Sequence, residues 1–150
     1  MSLIKFGSQA FFDEFRKRLN EDEEFRRLAK ENDYNATEMV FVPEIDFAYY
    51  QHTNGGSVQN LRVVKREEIP SLKETTELVY EVARFENILK LCRGETTPFK
   101  LVLSGKMKVQ GGTGKALKFY PAASRAMGIL KDLCASREVE LPKDASEFIS

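Results

Sequence analysis

The hydrophobic period of this chain changes twice along its length, and that change limits the available folds more than any other feature. From Ser8, a candidate helix cap, the residues Phe11, Phe12, Phe15 and Leu19 recur at helical spacing opposite Asp13, Glu14, Lys17 and Arg18. Asn20 followed three residues later by Glu23 resembles a capping box, and Phe25, Leu28 and Ala29 form a second short helical stripe. From Asn35 the pattern becomes strand-like, with β-branched and aromatic runs over Met39–Val42, Phe47–Tyr50, Val58–Val64 and Leu78–Ala83. Asn54-Gly55-Gly56 between the second and third runs predicts a tight hairpin, because these residues accept the positive φ that such turns require. The polar stretch 67–76, which contains Pro70, reads as a loop.

The helical period then returns. Phe85, Ile88, Leu89 and Cys92 share one face and Gly94 is placed to stop that helix, while Pro98 opens a short one carrying Phe99, Val102 and Leu103. Lys106 to Gln110 alternates polar and apolar, as a half-buried strand does. Ala116, Leu117 and Phe119 lead up to Pro121, and Ala122, Ala126, Ile129, Leu130 and Leu133 mark a long amphipathic helix beyond it. Residues 136–150 read as a loosely ordered tail. Strands grouped in the middle with helices at both ends predict a single α+β domain over residues 1–150, with its core at about 8–135, built on one largely antiparallel sheet.

Charge and composition narrow the function classes. Lys+Arg and Asp+Glu balance at 23 each, so no global field draws the chain to nucleic acid. Within that neutral total, Lys100, Lys106, Lys108, Lys115 and Lys118 form a locally basic stretch suited to transient contact with an anionic membrane surface or head group. No apolar run approaches the length of a membrane span, and two cysteines are too few for a disulfide framework; the expected location is the cytoplasm. Eleven Phe, five Tyr and four Met with no Trp supply large or pliable apolar side chains able to fill a core or line a hollow one.

Catalytic and metal chemistry find little support. His52 is the only histidine and lies beside the hairpin turn, and with Cys92 and Cys134 it shows no zinc-ligand spacing, so no cofactor or metal is expected. Gly111-Gly112-Thr113-Gly114-Lys115 looks like a phosphate loop but lacks the earlier glycine, Val109 standing there, and lacks the hydroxyl after the lysine, where Ala116 stands.

The block Leu103-Ser104-Gly105-Lys106-Met107-Lys108-Val109-Gln110-Gly111, followed by Gly114, Ala116, Lys118 and Phe119, resembles the sterol carrier protein 2 family of lipid-binding domains. The order of the preceding strand and helix, Leu78–Ala83 and Phe85–Gly94, agrees, and the resemblance spans about residues 35 to 120. It implies a curved five-stranded sheet covered by helices, enclosing an apolar tunnel for a fatty acid, fatty acyl-CoA, phospholipid or sterol-like lipid, with binding and intermembrane transfer as the non-enzymatic function. By position Phe99, Leu103, Met107, Val109, Ala116, Leu117 and Phe119 match the implied lining. Leu89 and Cys92 are further candidates, and Met127, Ile129 and Leu130 are placed to close the cavity. Lys106, Lys108 and Lys115 are candidates for head-group or membrane contact, while Thr113 and Lys115 make the implied mouth more polar. The alternative is an interaction or homodimerisation module in which the helix beyond Pro121 fills the cavity.

Overall fold

The computed structural model describes residues 3–149, without the side chains of Thr113 and Ile149. Ser8 caps the first long helix as its position predicts: its Oγ accepts from the Phe11 amide at 3.2 Å. This helix, α1 (Gln9–Glu21), buries Phe11, Phe12, Phe15 and Leu19, so the apolar stripe becomes its inner face. The second helix, α2 (Glu23–Glu31), is capped by Asp22 rather than through Asn20. Asn20 is drawn away by a long-range demand, since its amide brackets Val58, donating to the carbonyl at 3.0 Å and accepting from the amide at 2.7 Å. Asp22 also receives Arg125 at 2.7 and 3.0 Å, and that ion pair holds its carboxyl below the usual range.

The strands follow as β2 (Ala36–Val42), β3 (Phe47–Asn54), β4 (Ser57–Val63), β5 (Leu78–Val82) and β6 (Met107–Gly111), after a two-residue N-terminal strand β1 (Ile4–Lys5). Gly55 and Gly56 turn β3 into β4 with φ of +62° and +83°. The open sheet runs in the order β4-β3-β2-β5-β6. Its pairings are antiparallel except between β2 and β5, which run parallel, so the sheet is mixed.

That parallel pairing needs a crossover, and residues 66–75 supply it as helix where the sequence reads as loop. A 3-10 turn at Arg66–Glu68 leads into α3 (Ile69–Thr75), with Pro70 in the first turn, where its missing N–H costs nothing. Ile69 and Leu72 of α3 pack on Met39, Ala48 and Val79, covering one sheet face. The other face meets α1, α2, α4 (Phe85–Cys92), α5 (Pro98–Leu103) and α6 (Thr113–Ala135).

Two further expectations change. Pro121 does not divide α6, which runs continuously for 23 residues and forgoes only the bond residue 121 would give to the Leu117 carbonyl. Within the described part of the tail the chain forms two further elements. β7 (Val139–Glu140) pairs parallel with β1, and Phe148 of α7 (Ala145–Ile149) packs against Phe6, Phe47 and Phe85. Among the described residues, no helix is long and apolar enough to cross a membrane.

Candidate ligand-binding cavity

Strand alternation selects what the sheet presents to the helices. On the α1/α6 side lie Glu38, Val40 and Val42 of β2, Tyr49 and Gln51 of β3, Tyr80 of β5, and Met107 and Val109 of β6. Between these residues and the helices is a cavity of about 610 Å³, within the range of small-molecule sites. Phe11, Phe12 and Phe15 from α1 and Ala123, Ala126, Met127 and Leu130 from α6 form further walls. Helix α6 therefore bounds the space and does not fill it.

Residues that line the cavity and are also exposed mark its mouth. They are Phe99 (50% exposed) and Val102 of α5 with Leu117 (67%) and Tyr120 of α6. Phe99 and Tyr120 meet edge to face across this opening, ring centroids 6.3 Å apart. Lys108 also reaches the lining.

Of the positions chosen from sequence, the structure brings Phe99, Met107, Val109, Ala116, Leu117, Met127, Leu130 and Cys92 to the cavity wall. Others go elsewhere. Leu103 ends α5 pointing to solvent, 72% exposed, because the helix stops there and the chain turns away at Gly105. Phe119 is buried in the core, stacked on Tyr34 with centroids 4.7 Å apart, and Leu89 is buried in the same core on α4. Ile129 likewise packs into the core. Lys106 is exposed, and Lys115 is held by Glu77 at 3.0 Å. The Thr113 side chain lies outside the described residues.

Sequence alone also did not assign to the cavity the apolar walls from α1 and β2 or a polar cluster on the sheet. Glu38 lines it although only 8% exposed. Tyr34 O–H donates to Glu38 Oε1, and Tyr80 O–H donates to Oε2 at 2.8 Å. Gln51, directly opposite Glu38 in the β2/β3 register, donates from Nε2 to the Tyr34 hydroxyl at 3.4 Å and to Thr53 Oγ1 at 3.0 Å. Burial raises the Glu38 pKa above its ordinary 4.5, and the two phenol bonds oppose that shift. Burial, reinforced by the Glu38 charge, holds the Tyr34 and Tyr80 phenols protonated well beyond the usual range. On α4, the hydrogen bond that the Cys92 thiol gives to Cys134, together with burial, raises its pKa, which suppresses the nucleophilic thiolate. Among the described residues, no group of three His, Cys, Asp or Glu could hold a metal ion.

No protein-family model matches the chain, and no curated protein matches it. Solved structures do match. A crystal structure of sterol carrier protein 2 superposes with a TM-score of 0.68 at 16% identity, covering 85% of this chain and 98% of the other. A conserved hypothetical protein from Thermus thermophilus, described as possibly a sterol carrier protein, gives a TM-score of 0.69 at 16% identity, covering 91% and 95%. Sterol carrier protein 2 from Yarrowia lipolytica, in its apo form, gives 0.51 at 20% identity, covering 91% and 100%. The backbones thus superpose along most of the chain, and the protein has the sterol carrier protein 2 fold.

Proposed function

We propose that this protein binds lipids, or comparable long apolar molecules, in the cavity and carries them between membranes as a cytoplasmic, non-enzymatic carrier. The observation that carries this reading is the cavity itself: about 610 Å³ walled mainly by aromatic and aliphatic side chains, on a fold shared with sterol carrier protein 2. Each methylene moved from water into such a space contributes about 0.8 kcal/mol, so an alkyl chain binds with few polar contacts. Met107 and Met127 on opposite walls adjust to ligands of different shape. The raised Cys92 pKa supports carriage rather than covalent chemistry on a lipid thioester.

The mouth supports delivery at a membrane surface. Leu103, Phe99 and Leu117 stand exposed beside Lys100, Lys106 and Lys108. Lys115 and Lys118 are engaged by Glu77 and Asp33, whereas Lys106 and Lys108 have no ion pair among the described residues. Each lysine near an anionic bilayer adds about 1 kcal/mol of attraction. The test is titration of the delipidated protein with Nile red, a neutral apolar dye. Saturable binding with one dye per chain, reversed by added lipid, is the expected result; absence of saturable binding sinks the reading.

A further inference from the structure

An apolar cavity alone requires no carboxyl group, yet Glu38 stands on its sheet wall with Tyr34, Tyr80 and Gln51 around it. Their hydrogen inventory decides what they can accept. Each phenol has one hydrogen, and both are donated to Glu38. The Gln51 amide has two, directed to the Tyr34 hydroxyl and Thr53 Oγ1. With the carboxyl ionised, every donor in the cluster is spent, and what remains toward the cavity is lone pairs on the carboxylate, the phenol oxygens and the amide carbonyl. Among these four side chains a ligand acceptor finds no free hydrogen, and an anionic head group also meets the Glu38 charge; the Tyr49 hydroxyl, on the same sheet wall, is the donor such a ligand would have to use instead.

We propose that this cluster is a head-group site selecting apolar ligands that end in a hydroxyl, which donates to Glu38 at the sheet while the alkyl portion runs toward the mouth between α5 and α6. Ligands ending in a carboxylate, free fatty acids among them, are disfavoured. The assignment rests on the lipid-binding reading above and adds polarity and orientation to it. A third donor to a buried carboxylate also compensates its desolvation, which ties the preference to this particular side chain.

The test is Nile red displacement from the delipidated full chain, at mildly alkaline pH, by dodecanol, methyl dodecyl ether and dodecanoate, which differ mainly in the end group. Dodecanol should displace the dye at a concentration about tenfold or more below that of either competitor, the range expected for a hydrogen bond to a charged group. In Glu38→Gln, which removes the charge and aims amide hydrogens into the cluster, the preference should collapse. In Tyr80→Phe, which keeps Glu38 and frees Oε2, it should persist. If Glu38→Gln does not fold, the wild-type ranking and Tyr80→Phe decide. Equal displacement by all three compounds, tighter dodecanoate, or an unchanged preference in folded Glu38→Gln overturns the head-group site and leaves lipid binding standing. No dye binding at all removes both.

Discussion

A carboxyl group enclosed by aromatic rings ties this protein's stability to pH in a direction opposite to that of a surface ion pair. Because burial raises the Glu38 pKa above 4.5, the folded chain keeps a proton that the unfolded chain has released over the interval just above that value. Glu38 therefore contributes stability at low pH that is lost as pH rises through its folded pKa. Tyr34 and Tyr80 face it as neutral donors, and Glu77 adds a like charge that pushes the same way. Urea unfolding of wild type and Glu38→Gln across this range should show the wild-type advantage shrinking as pH increases; a constant difference would contradict the buried placement. A second residue-scale prediction concerns Gly111, whose φ is +105° and whose hypothetical Cβ would lie 2.0 Å from the Glu77 carbonyl oxygen. Gly111→Ala should cost at least about 2 kcal/mol in the same measurement. This glycine serves the crossing of β6 past Glu77, which gives the glycine-rich stretch a purpose unrelated to phosphate.

Among the described residues, α5 and the start of α6 carry five of the six exposed large apolar side chains, and they frame the mouth. Leu103 is informative there because it lies outside the cavity lining and is 72% exposed, so replacing it should leave folding and dye affinity nearly unchanged. Leu103→Asp should nevertheless slow lipid transfer to anionic vesicles by about tenfold, through lost insertion of one apolar side chain and repulsion at the surface. Equal transfer rates would place membrane contact elsewhere. The contrast with Phe99 was not legible in sequence. Both fall on the same short apolar run, and only the helix end at Ser104 turns one into the mouth and the other outward. Asn20 teaches the same lesson at the other end of the chain, where a good local capping pattern loses to Val58, 38 residues away.

For the whole molecule, binding in the cavity couples to unfolding, since the walls come from both ends of the chain. Phe11 and Leu130 face the same space, and neither helix presents it without the sheet between. A saturating ligand at a hundred times its dissociation constant stabilises by about 2.7 kcal/mol and should raise Tm by about 5–10 °C for a chain of this size. Scanning calorimetry with and without dodecanol checks this, and an unchanged Tm at saturation would mean that ligand does not bind the folded cavity. The sequence by itself determined α1, α2, α4, α5 and the part of α6 beyond Pro121, the hairpin and the apolar side of β6, because hydrophobic period, capping residues and turn glycines act over a few residues. It also carried the resemblance at 103–119, which the fold bears out. The parallel pairing of β2 with β5 was a tertiary decision, and it alone sets Tyr80 beside Glu38 across 42 residues. Whether an apolar face packs against a neighbour, as Phe119 does on Tyr34, or borders empty space, as Met107 does, depends on distances between elements. Those distances follow from the volumes of side chains far apart in the chain, which no local pattern records.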